Sequence, residues 1–501
     1  IGTANVPWST MYEIRSSVLR FKESGKPVFA SSEDFVDTES EYYLMSAADS
    51  IYAVPEGIFE FNGFAIVASF YRGLLDKLEI EPNVIRAGTY KSAGEAYVRK
   101  DFSDENAEQL QAILDVHEAH FFDAIAQSRG VGVDELRRLA TTDAIITADQ
   151  ALDAGLVSGL LQEDQIAERW KEVLGLESDA KLASIDLKRY SRVPASAAGI
   201  ATGNEGEVAI VYAVGTILSG DGEDDSPFTS GFLGSASFTR AMREARESEK
   251  VKAVVLRVNS PGGFAPAADA MLREIELTAA EKPVVVSMGD LAASGGYWIS
   301  APADAIVATP LTITGSIGVF SLFFDTGDFF ADKLGITFDH VATSAYADMF
   351  SGVRPLSDGE EALLQDLTDR TYERFLHIVA DGRSLSIDDV RSLAEGRVWI
   401  GADALARNLV DSTGDLHAAI EVAAAKAGLA PDTYRVRALP RPKSFLQRMT
   451  GSMDAQASAL WERMTLSVAE RALIRQARTL REALVDHGTV QARLPVDIAI
   501  R

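Results

Sequence analysis

Apolar runs and amphipathic stretches alternate along the second half of the chain. Residues 207–217 (EVAIVYAVGTI) form a near-continuous apolar run that predicts a strand. A Gly/Asp/Ser-rich loop follows, and then FTRAMREARESEK, whose apolar positions recur at helical spacing. VKAVVLRVN from Val251 predicts a buried strand, the turn SPGG (Ser260 to Gly263) breaks into the helix APAADAMLREIELTAA, and PVVVSMGD from Pro283 predicts another buried strand. Strand, helix and strand in alternation predict parallel βαβ units and an α/β fold.

The first half carries part of the same pattern. Its helix MYEIRSSVLRFKES and strand KPVFASSED match the second half's helix and KPVVVSMGD. Ala48-Asp49-Ser50-Ile51 falls on Ala303-Asp304-Ala305-Ile306 (304 − 49 = 255), and Asp76-Lys77-Leu78 falls on Asp332-Lys333-Leu334 (332 − 76 = 256). Both halves continue into a long helix, NAEQLQAILDVHEAHFFDAIAQSRG and EEALLQDLTDRTYERFLHIVADGRS, and close with AIITADQALDAGLV and VWIGADALARNLV. The first copy starts late, so the counterpart of residues 207 to about 256 is expected ahead of Ile1. This divides the chain into a first repeat (1–180), a Ser/Ala/Gly/Pro-rich linker (181–206), a second repeat (207–430) and a tail (431–501). The tail holds a Pro/Arg hinge, LPRPKS, and two stretches that predict amphipathic helices. Packing or oligomer contact is its expected role, with membrane-surface contact as the other reading because Lys443, Arg448, Arg463, Arg471, Arg475 and Arg478 make it basic.

The formal net charge of −26 over 501 residues argues against nucleic-acid binding, which needs a basic face. It fits first a solvated acidic surface, and second a funnel for cationic peptides. With no cysteine in the chain there is no disulfide, thiol nucleophile or thiolate metal site. His117-Glu118-Ala119-His120 lacks a third ligand and the spacing of a zinc helix, so neither metal nor cofactor is expected. No stretch reaches the roughly 18 apolar residues of a membrane span, and a chain starting at Ile1 leaves room for a signal or anchor outside it.

The candidate chemistry is split between the repeats. Ser294 in GDLAASGGYW follows a strand and opens a helix, where backbone N–H groups point outward and an acyl-transfer nucleophile gains an oxyanion donor in Gly295. Gly262 and Gly263 of the SPGG turn let the backbone swing close to a bound carbonyl, and one of them is the expected second donor. Lys91 lies in AGTYKSAG, an uncharged block of small residues, where desolvation would leave the amine neutral and basic. The first copy reads Thr38-Glu39-Ser40 at the serine position, and the second reads Tyr346-Ala347 at the lysine position. Each copy has kept the group that the other lost. The histidines His117, His120, His340, His377, His417 and His487 sit in no triad context and are expected to pack or face solvent.

The blocks RVNSPGG, GDLAASGGYW, TGSIGV (Thr314 to Val319) and AGTYKSAG resemble those of the signal peptide peptidase A (protease IV) family, in its long tandem-repeat form. The resemblance implies two tandem Clp protease/crotonase-like repeats of ββα-type spiral. It also implies a serine endopeptidase with Ser294 as nucleophile, Lys91 as general base and Ser316 holding the lysine by a hydrogen bond. Family likeness further implies signal-peptide substrates, a homotetramer, an N-terminal anchor outside this chain and a place on the periplasmic face of the bacterial inner membrane. Two rival readings are an acyl-CoA enzyme on the same fold and a catalytically silent scaffold that binds peptides or membrane proteins. Neither accounts for complementary loss between the copies.

Overall fold

The computed structural model describes residues 6–32, 35–194, 205–222, 232–440 and 490–493, with 197 and 203. Its architecture is mixed α/β. The largest sheet has the path Val398–Ile400, Ile313–Gly315, Val284–Ala293, Val251–Ser260, Gly206–Val214 and Tyr434–Leu439. Ala305–Ala308 pairs beside Val284–Ala293, and Ser412–Thr413 pairs beside Ala305–Ala308. All pairs are parallel except Ile313–Gly315 with Val398–Ile400.

The continuous apolar runs follow from burial on both faces. Side chains alternate along each strand, so Val254, Leu256, Val258, Val284 and Val286 face one cluster while Ala253, Val255 and Val285 face another. The first cluster takes Met271 and Ile275 from helix Ala265–Ala279 and Phe375 and Val379 from helix Asp358–Arg383. The second takes Ala419, Ala423 and Ala424 from helix Leu416–Lys426.

The first repeat forms two small sheets. Phe29–Ser31, Ser50–Ala53 and Gly159–Leu160 make one; Val36–Asp37, Ile58–Glu60 and Ile145–Thr147 make the other. The two long helices, Asp104–Arg129 and Asp358–Arg383, are each 26 residues and start alike, on Ser103 and Ser357 side chains that accept from the backbone N–H of Asn106 and Glu360. Helix Trp8–Lys22 ties the repeats together. From it Ser9 donates to Gly289 O, Thr10 N–H donates to Asp290, and Glu13 accepts both Arg257 nitrogens at 2.7 and 2.8 Å.

A fourth sheet draws strands from both halves of the chain. Its path is Leu233–Gly234, Ile217–Leu218, Gly262–Phe264, Val490–Arg493, Val319–Asp325 and Glu81–Ala87. The last pair is antiparallel over seven residues, from Ala87 opposite Val319 to Glu81 opposite Asp325.

Two features depart from the pattern of the sequence. The described part of the tail is not helical: Tyr434–Leu439 is an edge strand of the large sheet, and Val490–Arg493 is a strand of the shared one. Its alternation of polar and apolar residues (YRVRAL) suits an edge better than a helix. The two helical stretches and the basic residues named above lie outside the described residues, as does His487. Secondly, the segment after His340, aligned with the strand that leads to Lys91, forms no strand; residues 332–347 are all exposed.

Candidate active site

Strand Val284–Ala293 ends at Ser294, and helix Gly295–Ser300 begins directly behind it. The turn between them is sharp enough that Ser294 has φ 55° and ψ −118°, a conformation that costs a non-glycine residue about 1–3 kcal/mol and clusters at functional sites. Surroundings hold it there: Ser294 N–H donates to Gly315 O at 2.8 Å, and the helix closes through Trp298 N–H to Ser294 O at 2.8 Å. Gly296 must be glycine, since a Cβ there would lie 2.7 Å from Ser260 O. That closeness sets the SPGG turn against the serine turn.

Lys91 arrives from the other repeat. Strand Glu81–Ala87 carries the chain to Gly88, whose φ of 110° and contact with the Glu395 backbone admit no side chain. Lys91 then turns inward and is fully buried. Its Nζ lies 2.8 Å from Ser294 Oγ, 3.0 Å from Ser316 Oγ and 3.0 Å from Ser316 O. Burial alone holds the amine well below the ordinary lysine range. Ser316 is itself held in a left-handed turn (φ 52°), with its N–H donating to Arg397 O at 2.7 Å. Lys91 is thus brought to Ser294 and Ser316 from more than 200 residues away in sequence.

The expected oxyanion glycines differ in their surroundings. Gly295 is the first residue of the helix behind Ser294 and is buried. Gly262 (φ 97°) gives its N–H to Ser260 Oγ at 3.2 Å. Gly263 (φ 155°) packs so closely on Ile217 that a Cβ would sit 2.1 Å from Ile217 O. Strand Gly262–Phe264 pairs antiparallel with Val490–Arg493, Gly263 standing opposite Ala492.

The described histidines stand apart from this cluster. His117 packs edge-on against Trp8 and Phe64 in the core of the first repeat, where burial pushes it down to about 3. His120, next to Tyr43 Oη at 2.9 Å, is pushed down to about 4 by burial. His340, His377 and His417 are exposed.

One part of the site escapes sequence reasoning. Residues 395–397 form a strap across the loops that carry Lys91 and Ser316. Glu395 accepts from Thr89 N–H (2.9 Å) and Thr89 Oγ1 (3.1 Å) with its carboxylate, and from Tyr90 N–H (2.7 Å) with its carbonyl. Gly396 lies flat on Lys91, where a Cβ would come within 2.5 Å of the lysine Cβ. Arg397 supplies the carbonyl that holds Ser316 and stacks its guanidinium over Tyr90. Buried Gln109 completes the clamp by donating to Tyr90 O (3.3 Å) and accepting from Val398 N–H (3.0 Å). The visible signal was a glycine two residues ahead of VWIGADALARNLV.

A serine in a strained strand-to-helix turn, with a desolvated amine against its hydroxyl, is the equipment of a serine hydrolase. The chain belongs to peptidase family S49, whose sequence model matches residues 20–177 and 276–430. It is 37% identical over 432 residues to Protease 4 of Salmonella typhi, covering 84% of this chain and 67% of that protein. It is 36% identical over 423 residues to the chloroplast serine protease SPPA of Arabidopsis thaliana (84% and 61%), and 35% identical over 419 residues to Protease 4 of Haemophilus influenzae (82% and 66%). The chain therefore spans about two thirds of the length of these relatives.

Proposed function

We propose that this chain is a serine endopeptidase working through a Ser294–Lys91 dyad assembled across two tandem Clp protease/crotonase-like repeats. The observation that carries the reading is the 2.8 Å approach of a fully buried lysine amine to the hydroxyl of a strained serine. A neutral amine has two N–H donors and one lone pair. Ser316 O can only accept and takes one N–H, Ser316 Oγ takes the other, and the lone pair is left for the Ser294 hydroxyl proton.

In the reaction Lys91 removes that proton as Ser294 Oγ bonds to the peptide carbonyl carbon. The Gly295 N–H and one N–H of the Gly262–Gly263 pair hold the oxyanion; Gly263 is favoured because Gly262 already donates to Ser260. The lysine passes its proton to the leaving amine as the C–N bond breaks. It then activates the water that hydrolyses the acyl-enzyme. A peptide would bind extended beside Gly262–Phe264, a reading supported by the chain's own strand Val490–Arg493 lying antiparallel there.

The proposed substrates are released signal peptides and other apolar peptides. The proposed setting is a homotetramer on the periplasmic face of the bacterial inner membrane, held by an anchor outside this chain. Among the described residues no helix is long and apolar enough to cross a membrane. The test compares wild type, Ser294→Ala and Lys91→Ala on a fluorogenic apolar peptide. Activity lost in both variants supports the dyad; wild-type activity in Lys91→Ala sinks it. A wild type that neither cleaves nor reacts with a fluorophosphonate favours a silent scaffold.

A further inference from the structure

An oxyanion held by two backbone N–H groups needs them fixed relative to each other, since a misplacement of about 1 Å can cost on the order of 100-fold in rate. The two donors proposed above come from different segments. Gly295 opens the helix behind Ser294, and Gly263 lies in strand Gly262–Phe264, just past the end of strand Val251–Ser260. Both segments meet at Ser260.

Ser260 has no exposed surface. Its hydroxyl donates to Gly215 O at 2.7 Å and accepts from Gly262 N–H at 3.2 Å, so the hydroxyl hydrogen and one lone pair are committed to backbone. Pro261 carries no N–H, so Gly262 offers the first N–H of the turn, and the hydroxyl draws it aside. Gly263 offers the next. Gly215 is gripped from both ends, because its own N–H donates to Asn259 O at 3.0 Å. Two residues further on, Ile217 pairs with Gly263, close enough that a Cβ on Gly263 would meet Ile217 O at 2.1 Å. The bond from Ser260 to Gly215 therefore seats the strand on which Gly263 rests. The Ser260 backbone faces the nucleophile turn. Ser260 stands opposite Ala292 in the large sheet, and a Cβ on Gly296 would lie 2.7 Å from Ser260 O and 3.4 Å from Ser260 Cβ.

We propose that Ser260 is a positioning residue for acylation, its hydroxyl setting the spacing of the Gly263 and Gly295 N–H groups across the oxyanion. The inference rests on the Ser294–Lys91 reading and adds to it the residue that builds its oxyanion site. Without the hydroxyl, Gly262 N–H is released and the Ile217 strand loses its tie to the turn. The two donors then lose their spacing, while Lys91 keeps its bonds to Ser294 and Ser316. The hydroxyl is directed at backbone and not at the dyad, so its loss should spare both the base and substrate binding.

The test compares wild type, Ser260→Ala and Ser260→Cys on a fluorogenic apolar peptide and on the matching peptide aldehyde. The aldehyde carbon takes a bond from Ser294 Oγ as the hydroxyl proton passes to Lys91, which leaves an oxyanion where the substrate's would form. Ser260→Ala should lower kcat about 10–100-fold and leave KM within about twofold, with the acid limb of the pH profile unmoved. The aldehyde inhibition constant should rise by the factor by which kcat/KM falls. Ser260→Cys, whose thiol fills the same place but bonds weakly, should lie between, and it carries the test if the alanine variant does not fold. Thr278→Val supplies the control for stability. It removes a buried hydroxyl that donates to Glu274 O at 2.8 Å on helix Ala265–Ala279, and it should keep wild-type kcat and aldehyde affinity. Wild-type kcat and aldehyde affinity in the folded Ser260 variants would overturn the proposal, as would a loss confined to KM or one that Thr278→Val reproduces. Failure of the dyad reading looks different and takes this proposal with it: the wild type would neither cleave nor bind the aldehyde, or Lys91→Ala would stay fully active.

Discussion

Ala87 stands opposite Val319 in an antiparallel pair that joins the two halves of the chain, and this pairing brings Lys91 against Ser294. Lys91 follows Ala87 by four residues and Ser316 precedes Val319 by three, so the register of one strand pair places the amine against the serine turn. A slip of one residue would turn every side chain to the opposite face. Lys91 is thus positioned mainly by the second half of the chain.

The first prediction concerns pH. Lys91 is held below its ordinary value of 10.5 by burial, so the acid limb of kcat/KM, which reports loss of the neutral amine, should fall well under that value. Stability carries the same sign. Between the depressed native pKa and 10.5 the unfolded chain binds the extra proton, so stability rises with pH through that window. Lys91→Met should therefore abolish turnover yet raise the melting temperature at neutral pH. A drop in melting temperature would show that the amine is charged in place.

Ser316→Ala removes one of the two acceptors that orient the amine and leaves the Ser316 carbonyl in place. The expected result is a fall in kcat of about 10–100-fold with KM nearly unchanged, because a misplaced base weakens chemistry more than binding. An unchanged kcat would mean that the carbonyl alone orients the lysine.

The sheet strands and the two residues that meet at Ser294 and Lys91 were legible in the sequence because each leaves a local trace. A buried parallel strand is a run of Val, Ile and Ala, as in VKAVVLRVN, and a nucleophile turn is a serine between strand and glycines. Complementary loss at Ser294 and Lys91 then linked two positions 203 residues apart. What stayed hidden depends on long-range contact. Glu395 reads as an ordinary loop acid until its carboxylate is seen on Thr89. YRVRAL at 434–439 becomes a strand only because the Gly206–Val214 edge is open to receive it. Residues 337–343 align with strand Glu81–Ala87 at the repeat offset but form no strand themselves.

If peptides bind beside Gly262–Phe264, the chain's own Val490–Arg493 strand competes with them for the same backbone edge. Deleting residues 490–501 should raise kcat/KM on a short apolar peptide several-fold, chiefly through a lower KM. The check is steady-state kinetics of the truncated and full chains side by side. Equal KM values would place the peptide on another edge.

The strap at residues 395–397 yields the most discriminating prediction. Glu395 is a positioning residue: its carboxylate accepts two donors from Thr89 and never touches Ser294 or Lys91 Nζ. Glu395→Gln keeps an acceptor oxygen and should stay within about twofold of wild type, whereas Glu395→Ala frees the base loop and should lower kcat about tenfold with KM held. Gly396→Ala should be more damaging, since its Cβ would drive into the Lys91 backbone at a position with φ 76°. Fluorophosphonate labelling rates follow the same order if the strap works through the dyad. Should Glu395→Ala lose thermal stability while keeping kcat, the strap is structural only, and the register of Glu81–Ala87 against Val319–Asp325 suffices to seat the base.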